Sequence, residues 1–177
     1  MPAPGSARLF FALWPDAAVR DALFRIAQEL HRSCGGRITP RDNLHLTLVF
    51  LGNVERARIA RLKEIAAQPR IECFDLEFGA IGYFRHNRIA WAAPLAVPAP
   101  LAGLVSVLEQ ALADDGFELD RRKYVPHITL LRDARAPEPP PAAAFTWPAR
   151  EYALIESARV ARGHEYRVLA RWPLQRA

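Results

Sequence analysis

The chain has 177 residues, 51% of them hydrophobic and 24% charged, a composition that suits one compact domain and excludes both a disordered chain and a string of large domains. A formal net charge of +5 and a pI near 9.8 favour an anionic partner, with nucleic acid first among them. Two cysteines, Cys34 and Cys73, are too few for a disulfide scaffold or a Cys-based zinc site, and the apolar run Leu9–Trp14 is too short for a signal segment or a membrane span. The expectation is a cytoplasmic chain with free thiols and no membrane attachment.

In chain order, a strand is predicted over Arg8–Trp14 and a helix over Asp16–Ser33. Asp16 can cap that helix, and Val19, Leu23, Ile26 and Leu30 fall on one face. Gly35 and Gly36 stop it, and the loop "RITPRDN" leads to a strand containing His45 and Thr47, closed by Gly52. A second helix is predicted over Glu55–Ala67, then strands over Glu72–Tyr83 and Arg88–Ala93. The third helix, Ala99–Asp114, carries the stripe Leu101, Leu104, Val105, Leu108 and Leu112. A strand with His127 and Thr129 follows, then a Pro- and Ala-rich surface loop over Asp133–Ala149. Two strands, Tyr152–Ala161 and Tyr166–Arg171, close the chain.

Two stretches read almost alike: "NLHLTLVF" at Asn43–Phe50 and "VPHITLLR" at Val125–Arg132. With five His and four Thr in the chain, chance predicts about a tenth of one His-x-Thr pair. Each copy follows a strand and a helix, at a similar distance from the opening strand, so the chain reads as a degenerate two-fold repeat. The implied architecture is α+β, with two pseudo-symmetric lobes in a single domain over residues 1–177 and a cleft between them.

Residues i and i+2 of a strand share a face, so His45 projects with Thr47 and His127 with Thr129, while the neighbouring leucines and Ile128 face the core. Two imidazoles can divide proton transfer between a base and an acid near neutral pH, and two hydroxyls can donate to phosphoryl oxygens as charge builds. That chemistry suits in-line attack on a phosphodiester. A lone strand histidine or threonine has a structural role more often than a catalytic one; duplication in register favours the catalytic reading. Two histidines could also ligate zinc, but neither motif carries Cys, Asp or Glu on the same strand face, so no metal and no cofactor are expected. His31, His86 and His164 read as surface residues, His164 in a turn.

With both motifs placed, the chain resembles the two-histidine phosphoesterases, and within them the RNA 2′,3′-cyclic phosphodiesterases, also called 2′-5′ RNA ligases. "RLFFALWP", "NLHLTLVFLG", "GAIGYF", "VPHITLLR" and "ESARVARGHEYRVLARWPL" carry the resemblance over nearly the whole chain. It implies a bilobal fold with a cleft between two antiparallel sheets, and hydrolysis of RNA 2′,3′-cyclic phosphate ends to 2′-phosphomonoesters, with reversible 2′-5′ RNA ligation by the same groups. It further implies His45 as proton donor to the departing 3′ oxygen, His127 as proton acceptor from water, and Thr47 and Thr129 as holders of the phosphate. The sequence itself does not assign which histidine plays which part.

Arg132 and Tyr166 also match family positions for substrate binding, and Phe10, Phe11 or Phe50 could offer a base a stacking face. Regular alternation, however, puts Arg132 on the face of Ile128 and Leu130, so it reaches the cleft only if the strand ends or bulges after Leu130. Arg41 before the first motif, and Arg121, Arg122 and Lys123 before the second, suggest an RNA backbone track. A monomer acting on RNA ends or cyclic nucleotides is expected. The alternatives are a phosphodiesterase for another cyclic or 2′-5′-linked nucleotide, and a non-catalytic module that binds RNA ends.

Overall fold

The computed structural model describes residues 5–119, 123–137, 144–160 and 163–176. Its elements are β1 (Ser6–Leu13), α1 (Ala17–Cys34), β2 (Arg37–Ile38), β3 (Leu46–Glu55), α2 (Ile59–Ala66), β4 (Phe74–Phe84), β5 (Ile89–Pro94), α3 (Ala99–Asp114), β6 (Ile128–Arg132), β7 (Phe145–Ala149), β8 (Glu151–Val160) and β9 (Gly163–Pro173). They form two antiparallel sheets, in strand order β3-β1-β8-β9 and β2-β6-β5-β4-β7. In each sheet the strand that follows a His-x-Thr histidine pairs with the opening strand of its own repeat: β3 with β1, and β6 with β5.

The helices form where the apolar spacing puts them. Asp16 caps α1 by accepting from the Val19 amide at 2.9 Å, and Val19, Leu23, Ala27 and Leu30 are buried along one face. All five residues of the predicted α3 stripe are buried. The first strand after the His45 motif does not stop at Gly52. It continues to Glu55 past an irregularity beside Leu51, so α2 starts only at Ile59, after a short 3-10 turn.

Two strands escaped the sequence reading. β2 is only two residues long and pairs Arg37 with Arg132 and Ile38 with Leu131. β7 lies inside the segment expected to be loop, and its Pro148 is tolerated because β7 is an edge strand bonded to β4 alone. The Pro-rich stretch 138–143 lies outside the described residues.

The repeats are more interwoven than two separate strand–helix–strand lobes. α1 packs against β6 and β2 of the second sheet, and α3 packs against β3 of the first. The Thr39 amide donates to the Leu130 carbonyl at 2.8 Å, and Tyr124, just ahead of the second motif, donates its hydroxyl to the Thr47 carbonyl at 3.2 Å. Each motif strand is therefore held from the segment that leads into the other motif. One hydrophobic core runs beneath both sheets, from Leu9 and Leu23 through Leu48 and Leu76 to Leu104 and Leu130. A small second cluster, Phe10, Ala12, Ala153 and Ile155, lies on the other face of the first sheet and packs against Trp14, Tyr166 and Val168.

Candidate active site

His45 and His127 both sit at the entry of their strands, and both are fixed the same way. The Nδ1 of His45 lies 2.7 Å from the Asn43 carbonyl, and that of His127 lies 2.8 Å from the Val125 carbonyl. A carbonyl oxygen only accepts, so Nδ1–H is the donor in each ring and Nε2 is left for chemistry. Leu44, Leu46 and Leu48 are buried, whereas His45 and Thr47 are half-buried; His127 and Thr129 stand in the same relation to Ile128 and Leu130.

A second correspondence is finer. Ala12 pairs with Thr47 and Phe11 with Val49, which leaves Leu48 as an extra residue in β3. Trp91 pairs with Thr129 and Ala90 with Leu131, which leaves Leu130 as an extra residue in β6. Each bulge puts two consecutive residues, Leu48–Val49 and Leu130–Leu131, into the core and shifts the alternation by one. The residue five places after each histidine is thereby returned to the open face. In the first motif it is Phe50, in the second Arg132, and both are exposed.

Aromatic rings wall the two imidazoles. Phe10 lies 4.9 Å from His45, Trp14 stacks on it at 5.4 Å with an interplanar angle of 12°, and Tyr166 meets it edge-on at 5.2 Å. Phe84 approaches His127 edge-on at 5.1 Å, with Trp91 at 6.4 Å. The Trp91 ring lies over Gly82, where a Cβ would come within 2.1 Å of it. Burial pushes the His45 imidazolium down to about 4 from 6.5; the Asn43 carbonyl opposes this, and the positive charge of Arg132 and repulsion from the His127 imidazole whenever it too is protonated add to it. His45 is therefore neutral at pH 7 in the free protein. The charge of Arg132, at the end of the second motif, acts on His45, His164 and Tyr166 on the side of the first sheet.

Phe10 is 4% exposed and spends its ring on His45, so it has no face to give a base; Phe11, fully buried, faces the main core. Phe50 keeps 41% of its surface open beneath the Arg8 guanidinium, 4.9 Å above the ring. Arg41 is tied to Asp21 at 2.5 Å and to Asp42 at 3.4 Å, which cancels it as part of a cationic track. Lys123 is exposed, and Arg121 and Arg122 lie outside the described residues.

His164 lies within β9, one residue after its start, rather than in a turn; its Nδ1 is hydrogen-bonded to the Ser157 hydroxyl at 3.0 Å and its ring stacks on Tyr166. Trp14, Phe84, Trp91, Arg8 and His164 were missed by the sequence reading. For Arg8 the signal was there, since it alternates with Phe10 and Ala12 along β1. Among the described residues no group of three or more His, Cys, Asp or Glu is placed to hold a metal ion, and no helix is long and apolar enough to cross a membrane.

Known proteins are similar to this chain in sequence and fold. The family model for LigT-like phosphoesterases matches residues 13–91 and 93–163. The RNA 2′,3′-cyclic phosphodiesterase of Escherichia coli is 34% identical over 170 residues, covering 94% of this chain and 96% of its own. The protein of the same name from Thermus thermophilus is 30% identical, covering 95% and 90%. The crystal structure of E. coli LigT complexed with 3′-AMP superposes with a TM-score of 0.89 at 32% identity, over 97% of this chain and 99% of that one.

Proposed function

This chain belongs to the LigT-like phosphoesterases, and from that premise we infer that it is an RNA 2′,3′-cyclic phosphodiesterase, opening cyclic ends to 2′-phosphomonoesters. The observation that carries the reading is the matched pair of imidazoles, each with Nδ1 committed to the backbone and with no hydrogen-bond partner at Nε2 among the described residues. His127 Nε2 takes a proton from water, and the water oxygen bonds to phosphorus. The bond from phosphorus to the 3′ oxygen breaks in line, and His45 Nε2 delivers a proton to that oxygen. Thr47 and Thr129 donate to the non-bridging oxygens, and the Arg132 guanidinium offsets the charge that gathers on them.

In this scheme His45 must be protonated, yet burial keeps it neutral in the free protein. The substrate supplies the remedy: a phosphodiester anion beside the ring favours its charged form. Phe10, Trp14 and Tyr166 hold the ring in place, and Tyr166 also closes the wall toward β9. The complex of the E. coli relative with 3′-AMP supports a ribonucleotide phosphate as the ligand. With a 5′ hydroxyl in place of water as the attacking group, the same groups would join RNA ends 2′-5′, the 3′ oxygen leaving as before. The reading is completed by a cytoplasmic, monomeric enzyme working as one bilobal domain.

The test is an oligonucleotide with a 2′,3′-cyclic phosphate, followed by mass analysis and location of the new phosphate. A 2′-phosphate is expected in the presence of EDTA, with kcat lowered at least ~100-fold in His45→Ala and in His127→Ala. A 3′-phosphate would overturn the assigned leaving oxygen, and tight binding without product would identify an RNA-end-binding module instead.

A further inference from the structure

The residue that anchors His45 is itself anchored elsewhere. Asn43 closes the 3-10 turn Arg41–Asn43 ahead of β3, and its backbone carbonyl accepts the His45 Nδ1–H at 2.7 Å. Its side-chain Nδ2 donates to the His164 carbonyl of β9 at 2.9 Å. β3 and β9 are the opposite edges of the first sheet, which in a flat sheet would lie about 14 Å apart, three strand spacings. The bond therefore ties together two edges that strand pairing leaves apart, as the twist and curl of the sheet permit. Two residues further along β9, Tyr166 meets the His45 ring edge-on at 5.2 Å. The second motif cannot repeat this tie. Val125 gives His127 the same carbonyl contact, at 2.8 Å, but its side chain is apolar and 46% exposed.

Which nitrogen of a histidine carries the proton is set by the partner of the other, so a carbonyl that holds Nδ1–H must itself be held. The other end of the Asn43–Leu44 peptide has only a long bond, from the Leu44 amide to the Arg41 carbonyl at 3.3 Å. We propose that Asn43 is a positioning residue for proton donation. Its side-chain bond to His164 keeps the Asn43 carbonyl aimed at Nδ1 and β9 closed against the ring, so that Nε2 of His45 faces the departing ribose oxygen. This role rests on the reading in which His45 protonates that oxygen. It also gives the two motifs unequal support for a physical reason. The donor must be positively charged when it acts, and a fixed carbonyl against Nδ1–H favours that form, whereas the acceptor begins neutral.

The experiment is Asn43→Ala, followed by nitrogen-15 NMR of the histidine rings and by kcat across pH on an oligonucleotide ending in a 2′,3′-cyclic phosphate. In the free wild type at pH 7.5 His45 is expected as the Nδ1–H tautomer alone. In Asn43→Ala it becomes a mixture with the Nε2–H form, while His127 in the same spectrum keeps its wild-type pattern and serves as the control for folding. kcat should fall about tenfold or more, part of what a general acid contributes, with KM changed much less. A group that must be protonated sets the alkaline limb of kcat, and a weaker Nδ1 contact lowers its pKa, so that limb should move to lower pH. The titratable groups that act on or touch His45 are Arg132 and His127 from the second motif and Tyr166 from β9, and the variant alters none of them. Asn43→Asp, which removes the donor at unchanged size, should show the same losses and decides the matter if Asn43→Ala does not fold. An unchanged tautomer, or a changed tautomer with wild-type kcat, would overturn the role of Asn43 and leave the phosphodiesterase reading intact. No product from the wild type would overturn that reading, and this role with it.

Discussion

Lowering the pH from 7.5 toward 4 should charge His45 only near the bottom of that range. Three aromatic rings and the neighbouring cations hold the ring neutral, and the displacement from 6.5 to about 4 corresponds to about 3 kcal/mol against the imidazolium. The sign of the stability effect follows from which state takes the proton. The unfolded chain protonates this histidine as the pH drops through 6.5, whereas the folded chain resists until about 4. The contribution is whole above pH 6.5, declines by about 1.4 kcal/mol per pH unit below it, and is lost near pH 4. Urea unfolding at pH 7.5 and 4.5 should therefore show about 2–3 kcal/mol more acid loss in the wild type than in His45→Gln. Proton NMR of the His45 Cε1–H reads the same quantity directly, with a midpoint near 4 that moves upward when inorganic phosphate is added. A midpoint at 6.5 or above in the free protein would refute the account of the aromatic wall as a desolvating one.

Arg132→Ala should raise that His45 midpoint, because one of the charges opposing protonation is gone, and should lower kcat/KM about 10–100-fold, with partial recovery in Arg132→Lys. Gly36→Ala should destabilise the fold by about 2 kcal/mol or more in urea titration. Gly36 has φ +81°, and a Cβ there would meet the Arg132 carbonyl at 2.5 Å. Asp16→Ala should cost about 1 kcal/mol by the same assay, since it removes the cap on the Val19 amide without touching the cleft.

The third helix was legible because its stripe is long and periodic, and the first because Asp16 marks its start. The two imidazole–hydroxyl pairs were legible because strand alternation is local and needs no knowledge of partners. The bulges were not. Whether Leu130 is an extra residue depends on how Thr129 and Leu131 pair with β5, which no property of β6 alone reveals. β7 was hidden because Pro148 is a strand breaker everywhere except at an edge, and edges are defined only once the sheet is assembled. The basic residue Arg41 looked available because its partner Asp21 is twenty residues away on α1. The passage of α1 beneath β6 likewise lies beyond any local signal.

The paired bulges do more than re-aim two side chains. A strand has parity, and an odd interval normally separates its faces; each slip at Leu48 and Leu130 makes five behave as even. Two-fold symmetry supplies interchangeable acid–base stations, but a cyclic phosphate is lopsided, with a nucleoside on one flank and water on the other. A symmetric cradle would accept it in either sense. Phe50 on one strand and Arg132 on the other occupy the equivalent slot with unlike chemistry, a ring facing a cation, and so give the cradle a direction in which an RNA end can be read.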